Sequence, residues 1–141
     1  MSDNQNKNNP YLEGMNFIQN VKEETEFERI LKILTIPARS GIYISRQEIR
    51  SIGLSLGVEI PVKERKFMLK DLFLYAKQFG VLKEFIELLI SFTDRKINEY
   101  RELQEIYPNS KNLFDGWINR AEKLKKFLEN MKNEVDIYKK L

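Results

Sequence analysis

Residues 111–141 read KNLFDGWINRAEKLKKFLENMKNEVDIYKKL. Phe114, Trp117, Ala121, Leu124, Leu128, Met131, Val135 and Tyr138 fall at alternating spacings of three and four. That is a heptad seam sustained over more than three heptads, the mark of a long helix packed lengthwise against another. Just upstream, Pro108-Asn109-Ser110 interrupts the chain, and Ser110 or Asn112 is placed to cap this helix. Before the break, Leu82, Ile86, Leu89, Thr93, Ile97, Tyr100, Leu103 and Tyr107 form a second seam. It predicts a helix over 81–107, about 40 Å long at 1.5 Å per residue. Two long helices joined by so short a turn fold back antiparallel. The stretch 81–141 therefore predicts an αα-hairpin. Earlier helices must cover its flanks, which carry Phe85 and Phe92 on one helix and Leu113, Ile118, Phe127 and Leu141 on the other.

Further upstream the pattern stays helical. Residues 62–79 predict a helix with a broad apolar side (Phe67, Met68, Leu69, Leu72, Phe73, Tyr75, Ala76, Phe79), closed by Gly80. Ser45 and Glu48 match a capping box ahead of a short helix through Leu56, with Ile49, Ile52 and Leu56 inward and Gly57 as its stop. Gly53 interrupts that helix, and its spacing to Gly57 suits close approach of neighbouring elements. Residues 38–44 form a connector in which Ile42-Tyr43-Ile44, β-branched and aromatic, favours extended backbone. Thr25 and Glu28 suggest another capping box opening a helix over 25–34, with Phe27, Ile30, Leu31 and Leu34 on one face and Pro37 beyond its end. Residues 11–21 fit either the start of a helix or an extended arm. Residues 1–10 are polar and Asn-rich and predict a flexible tail. The expectation is all-α: a single-domain helical bundle of about five helices over 11–141.

Composition narrows the chemistry. The 141 residues contain no Cys and no His. That removes disulfides, thiolate nucleophiles, thiolate-held clusters, Ser-His-Asp triads and histidine metal ligands. The six glycines form neither a dinucleotide fingerprint nor a phosphate loop. No catalytic, cofactor-binding or metal residue is assigned, and a non-enzymatic role is expected. Glu84 with Glu87, Glu99 with Glu102, and Glu102 with Glu105 each share a helix side, but cationic neighbours such as Lys83, Arg95, Lys96 and Arg101 offer them partners. The longest stretches without charge, Gly14 to Val21 and Ser51 to Val58, fall far short of the ~20 residues of a membrane span. No secretory signal pattern is visible, which makes a cytoplasmic location the expectation.

Two surfaces stand out. Lys63, Lys66, Lys70 and Lys77 share one helical face with Phe73, and Arg46 and Arg50 share a face of the short helix before it. Residues 41–80 carry seven cationic against four acidic side chains. Residues 45–79 thus loosely resemble a basic helix-turn-helix, and these six residues are the candidate nucleic-acid contacts. Against that stand a net charge of only +3 and a connection longer than a tight turn. The charged face of the final helix pairs with itself at favourable spacings, Glu122 with Lys126 and Asp136 with Lys140, and Glu129 lies between Lys125 and Lys132. Elimination favours binding to another protein or to a second copy of the chain, in an adaptor, accessory or assembly role. The candidate interface residues are Tyr43, Tyr107, Ile118 and Phe127. The hairpin supplies the expected surface, together with an exposed, adhesive Ile42-Tyr43-Ile44 connector.

Overall fold

A computed structural model describes residues 10–139. The chain runs α1 (Pro10–Leu34), α2 (Pro37–Ser40), α3 (Arg46–Ser55), α4 (Arg65–Gln78), α5 (Leu82–Ile106), a 3-10 turn (Pro108–Ser110) and α6 (Lys111–Lys139). There is no strand among the described residues. The expected tail lies outside the described residues except for Pro10, which begins α1. Lys140 and Leu141 lie outside them too, and with them the expected Asp136–Lys140 pair.

The hairpin forms as the two seams require. Leu82, Ile86, Leu89, Thr93 and Ile97 on α5 face Ala121, Leu124, Leu128, Met131 and Val135 on α6, all of them buried. Ion pairs bridge the two helices along their length: Glu87 to Lys132 at 3.3 Å, Asp94 to Lys125 at 2.7 Å and Arg101 to Glu122 at 3.0 Å. Residue numbers rise on one helix as they fall on the other, which fixes the antiparallel sense. Glu122 thus reaches across the hairpin to Arg101 instead of along its own helix to Lys126. At the turn, the Ser110 N–H donates to the Tyr107 carbonyl at 3.0 Å. Gln104 Nε2 ties the two ends together, donating to Asp115 Oδ1 at 2.6 Å and to the Lys111 carbonyl at 3.1 Å.

The other helices cover this hairpin, and their buried side chains join its seam in one continuous cluster. Phe27 of α1 sits at the centre of that contact. Its ring stacks on Phe73 of α4 at 4.2 Å and lies 5.7 Å from Phe85 of α5. Phe85, Phe92 and Ile118 are covered as expected, whereas Leu113 and Phe127 remain exposed.

Three local expectations change. The Thr25–Glu28 capping box does not form, because α1 runs unbroken from Pro10. Thr25 is mid-helix and its hydroxyl donates back to the Val21 carbonyl at 2.7 Å, the usual outlet for a helical threonine. Glu28 instead meets Lys70 at 3.0 Å. The connector is not an exposed adhesive strip. Ile42 and Ile44 are core residues and only Tyr43 points out, as alternation along extended backbone demands. Finally, α4 begins at Arg65 instead of residue 62. The Lys63 carbonyl accepts from Arg46 Nε at 2.8 Å, and the first helical bond closes on Glu64, with Met68 N–H donating to its carbonyl at 3.0 Å. The apolar side of α4 is correspondingly narrower: Phe67 and Phe79 are exposed.

The Ser45–Glu48 box is complete. The Glu48 N–H donates to Ser45 Oγ and the Ser45 N–H donates to Glu48 Oε1, each at 3.1 Å. Gly53 lies against the Val58 carbonyl and the Leu72 side chain, where a Cβ would sit at 3.0 and 3.1 Å. This is the close approach its spacing suggests. Gly57 serves differently, as a positive-φ turn.

Candidate functional site

The feature that the core does not explain lies on α1. Along one strip of this helix run Asn16, Asn20, Glu23, Phe27, Ile30 and Leu34, spaced by four and three. The second half of the strip is buried core. The first half is polar and looks across a gap of about 340 Å³ toward Ala76, Lys77, Gly80, Leu82 and Val135. Gln19 Nε2 and Glu23 Oε1 bond there at 3.0 Å, and Glu23 meets the Lys77 ammonium at 3.4 Å. Both members of that ion pair are largely buried.

The opposite strip reverses the order. Tyr11, Gly14, Ile18 and Val21 come first, flanked by Met15 and Phe17; Thr25, Glu28 and Lys32 come after. Tyr11, Met15, Phe17, Ile18 and Val21 all face solvent. Leu74 of α4 is also exposed and shares with Val21 a groove of about 460 Å³ between α1 and α4. The polarity of α1 therefore inverts near residue 24. One half buries its apolar face in the body, and the other turns its apolar face outward. Single exposed apolar side chains are normal on a protein surface, whereas a contiguous row marks a contact surface.

The basic residues singled out by sequence are mostly engaged within the chain. Lys63 lies on the extended segment before α4, not on the helical face, and pairs with Asp71 at 2.9 Å. Lys70 pairs with Glu28, and Lys77 turns inward to Glu23 and Glu24 at 3.4 and 3.8 Å. Arg50 pairs with Glu59 at 3.3 Å, and Arg46 is held by the Lys63 carbonyl. Lys66 is exposed and makes no ion pair among the described residues. The positive charge of this segment is thus met largely by acidic partners.

Of the candidate interface residues, Ile118 is in the core at 7% exposure, because α1 and α2 pack across α6. Tyr43 is exposed beneath the Arg65 guanidinium, 4.4 Å from its ring. That guanidinium also donates to the Thr35 and Ile44 carbonyls at 3.1 and 3.0 Å, so Tyr43 belongs to the lock holding the connector. Phe127 is half-covered, with Arg29 5.9 Å from its ring. Tyr107 is exposed at the hairpin tip beside Ile106. These residues do not form one patch with each other. The strip on α1 escaped sequence reading because its clue, an apolar row in register with a polar one behind it, needs the downstream half of the helix to say which side is inward.

Among the described residues no group of three or more acidic side chains comes together as a cation site; of the paired glutamates, Glu87 meets Lys132 at 3.3 Å and Glu99 meets Lys96 at 3.6 Å. Every buried side-chain polar atom there has a partner. No helix is long and apolar enough to cross a membrane. Comparison with family models, with curated proteins and with solved structures returned no match.

Proposed function

We propose that this protein is a non-enzymatic helical binding module that engages another polypeptide through the outward apolar strip of α1. The inversion of polarity along that helix is the observation that supports the reading. A row of five large apolar side chains held in water by a regular helix is costly, at roughly 25 cal/mol per Å² of apolar surface left uncovered. Covering it against a second chain recovers that free energy. The body of the molecule serves as the mount: Phe27, Ile30, Leu31 and Leu34 anchor the second half of α1 in the core, and the ion pairs of Lys22 with Glu134 and of Glu23 with Lys77, each at 3.4 Å, hold the first half alongside it.

The test is photo-crosslinking in the full chain, in the host cell. A benzophenone amino acid in place of Ile18 is expected to capture a discrete polypeptide. The same probe at Lys123, on the exposed back of α6, is expected to capture none. Equal labelling from both positions, or none from position 18, removes the proposal.

A further inference from the structure

We infer that the chain seated on this strip is a second copy of the protein, packed antiparallel about a two-fold axis near residues 16–17; this rests on the binding role just proposed. Three observations carry it. The first is self-complementarity. Tyr11, Gly14, Ile18 and Val21 are spaced by three, four and three, the repeat of a short two-helix seam. Reversed onto itself, that seam places Ile18 of each copy over Gly14 of the other and Tyr11 over Val21. A large side chain then meets a small one in the central layers, and nothing lies within 4 Å of where a Gly14 Cβ would be. Phe17 meets its own counterpart on one flank of the axis, and Met15 on the other.

The second is charge. Gly14 to Val21 is free of charged residues, and in the antiparallel register Glu13 stands level with residue 19 of the other copy and Lys22 with residue 10, so neither meets its own counterpart. A like-charge clash, the usual obstacle to a chain pairing with itself, does not arise.

The third is area. Tyr11, Met15, Phe17, Ile18 and Val21 are 77, 47, 68, 64 and 46% exposed. Together they present on the order of 600–700 Å² per copy, and Leu74 adds to it, against ~800 Å² per partner in a stable interface. That exposed area is a ceiling on what a two-helix contact can bury and lies below that of a standard interface, so a weak dimer that depends on concentration is expected. Residues 1–9, MSDNQNKNN, carry one apolar side chain, Met1.

Sedimentation velocity on the full chain across the micromolar range is the first measurement, with a concentration-dependent dimer expected. Ile18→Glu, at an exposed position, is expected to raise the dissociation constant by more than about tenfold while leaving the helical circular dichroism unchanged. Because the chain has no cysteine, introduced thiols report geometry directly. Phe17→Cys alone is expected to form an oxidised dimer. Tyr11→Cys and Val21→Cys are expected to crosslink only when mixed. A monomer at every concentration overturns the inference, as does a dimer indifferent to Ile18→Glu. Self-crosslinking of Tyr11→Cys alone, the signature of parallel pairing, overturns it as well. A monomer whose Ile18 probe still captures a different polypeptide in the cell would reject the second copy and leave the binding role standing.

Discussion

Gly41 is the residue on which the junction between the connector and the hairpin turns. Its φ is +74°, where any side chain is strained, and a Cβ there would run into the Trp117 carbonyl of α6. The Tyr100 hydroxyl donates to the Gly41 carbonyl from the opposite helix of the hairpin. Burial, followed by the nearby Glu99 carboxylate, raises the Tyr100 pKa, so the phenol stays protonated and able to donate. Trp117 lies 5.4 Å from both Tyr100 and Phe114, which completes an aromatic clamp around the glycine. Gly41→Ala combines backbone strain with overpacking and is expected to cost roughly 2–5 kcal/mol. Urea denaturation of the variant measures it, and an unchanged midpoint would mean that the connector does not dock as described. The sequence marks Gly41 only as a breaker; the need for a missing side chain comes from Trp117, 76 positions away.

At the scale of elements, the N-terminus of α3 is tied to α5 through one carboxylate. Glu48 accepts from the Ser45 N–H and lies 3.4 Å from Arg95 and 3.5 Å from Lys96. Burial works against its charge, but the hydrogen bonds from Ser45 and the Lys96 ammonium outweigh it and hold the pKa below the usual carboxylate range. A group whose folded pKa is depressed stabilises the fold above its unfolded value, ~4.3, and that stabilisation drains away as pH falls through the folded value. Glu48→Gln keeps an acceptor for the Ser45 N–H but loses the charge that faces Arg95 and Lys96, and is expected to cost up to about 1 kcal/mol at pH 7. The deficit should begin to shrink as pH falls past ~4.3 and vanish only below the depressed folded pKa, where the native carboxyl is neutral as well. Denaturation curves across this pH range test the sign. This capping box was legible from Ser45 and Glu48 alone because a cap is a contact over three residues. The box suggested by Thr25 and Glu28 was not a cap, because nothing in those four residues reveals that Pro10 to Glu24 already forms the preceding turns. Local motifs predict local bonds, and they do not say where a helix begins when no breaker precedes them.

For the whole molecule, the continuity of the core has a measurable consequence. Leu128 is fully buried on α6, and its cluster reaches Phe27 of α1 and Ile49 of α3. Leu128→Ala is expected to cost about 2–5 kcal/mol. The loss should be equal whether followed by Trp117 fluorescence, which reports the hairpin, or by far-ultraviolet circular dichroism, which reports all helices. Separate midpoints would show that the hairpin melts apart from α1–α4. The all-α class, both long helices and their antiparallel return could be read directly from residue order, since heptad spacing and a Pro-Asn-Ser break are periodic signals carried by the chain itself. Which apolar residues would be left over could not. Ile118 and Ile42 are buried while Ile18 and Phe17 are exposed, yet all four sit in equally apolar surroundings in the sequence. Burial is a property of what packs opposite, and for these residues the opposite surface comes from distant parts of the chain or, at Ile18 and Phe17, is not supplied by the described residues.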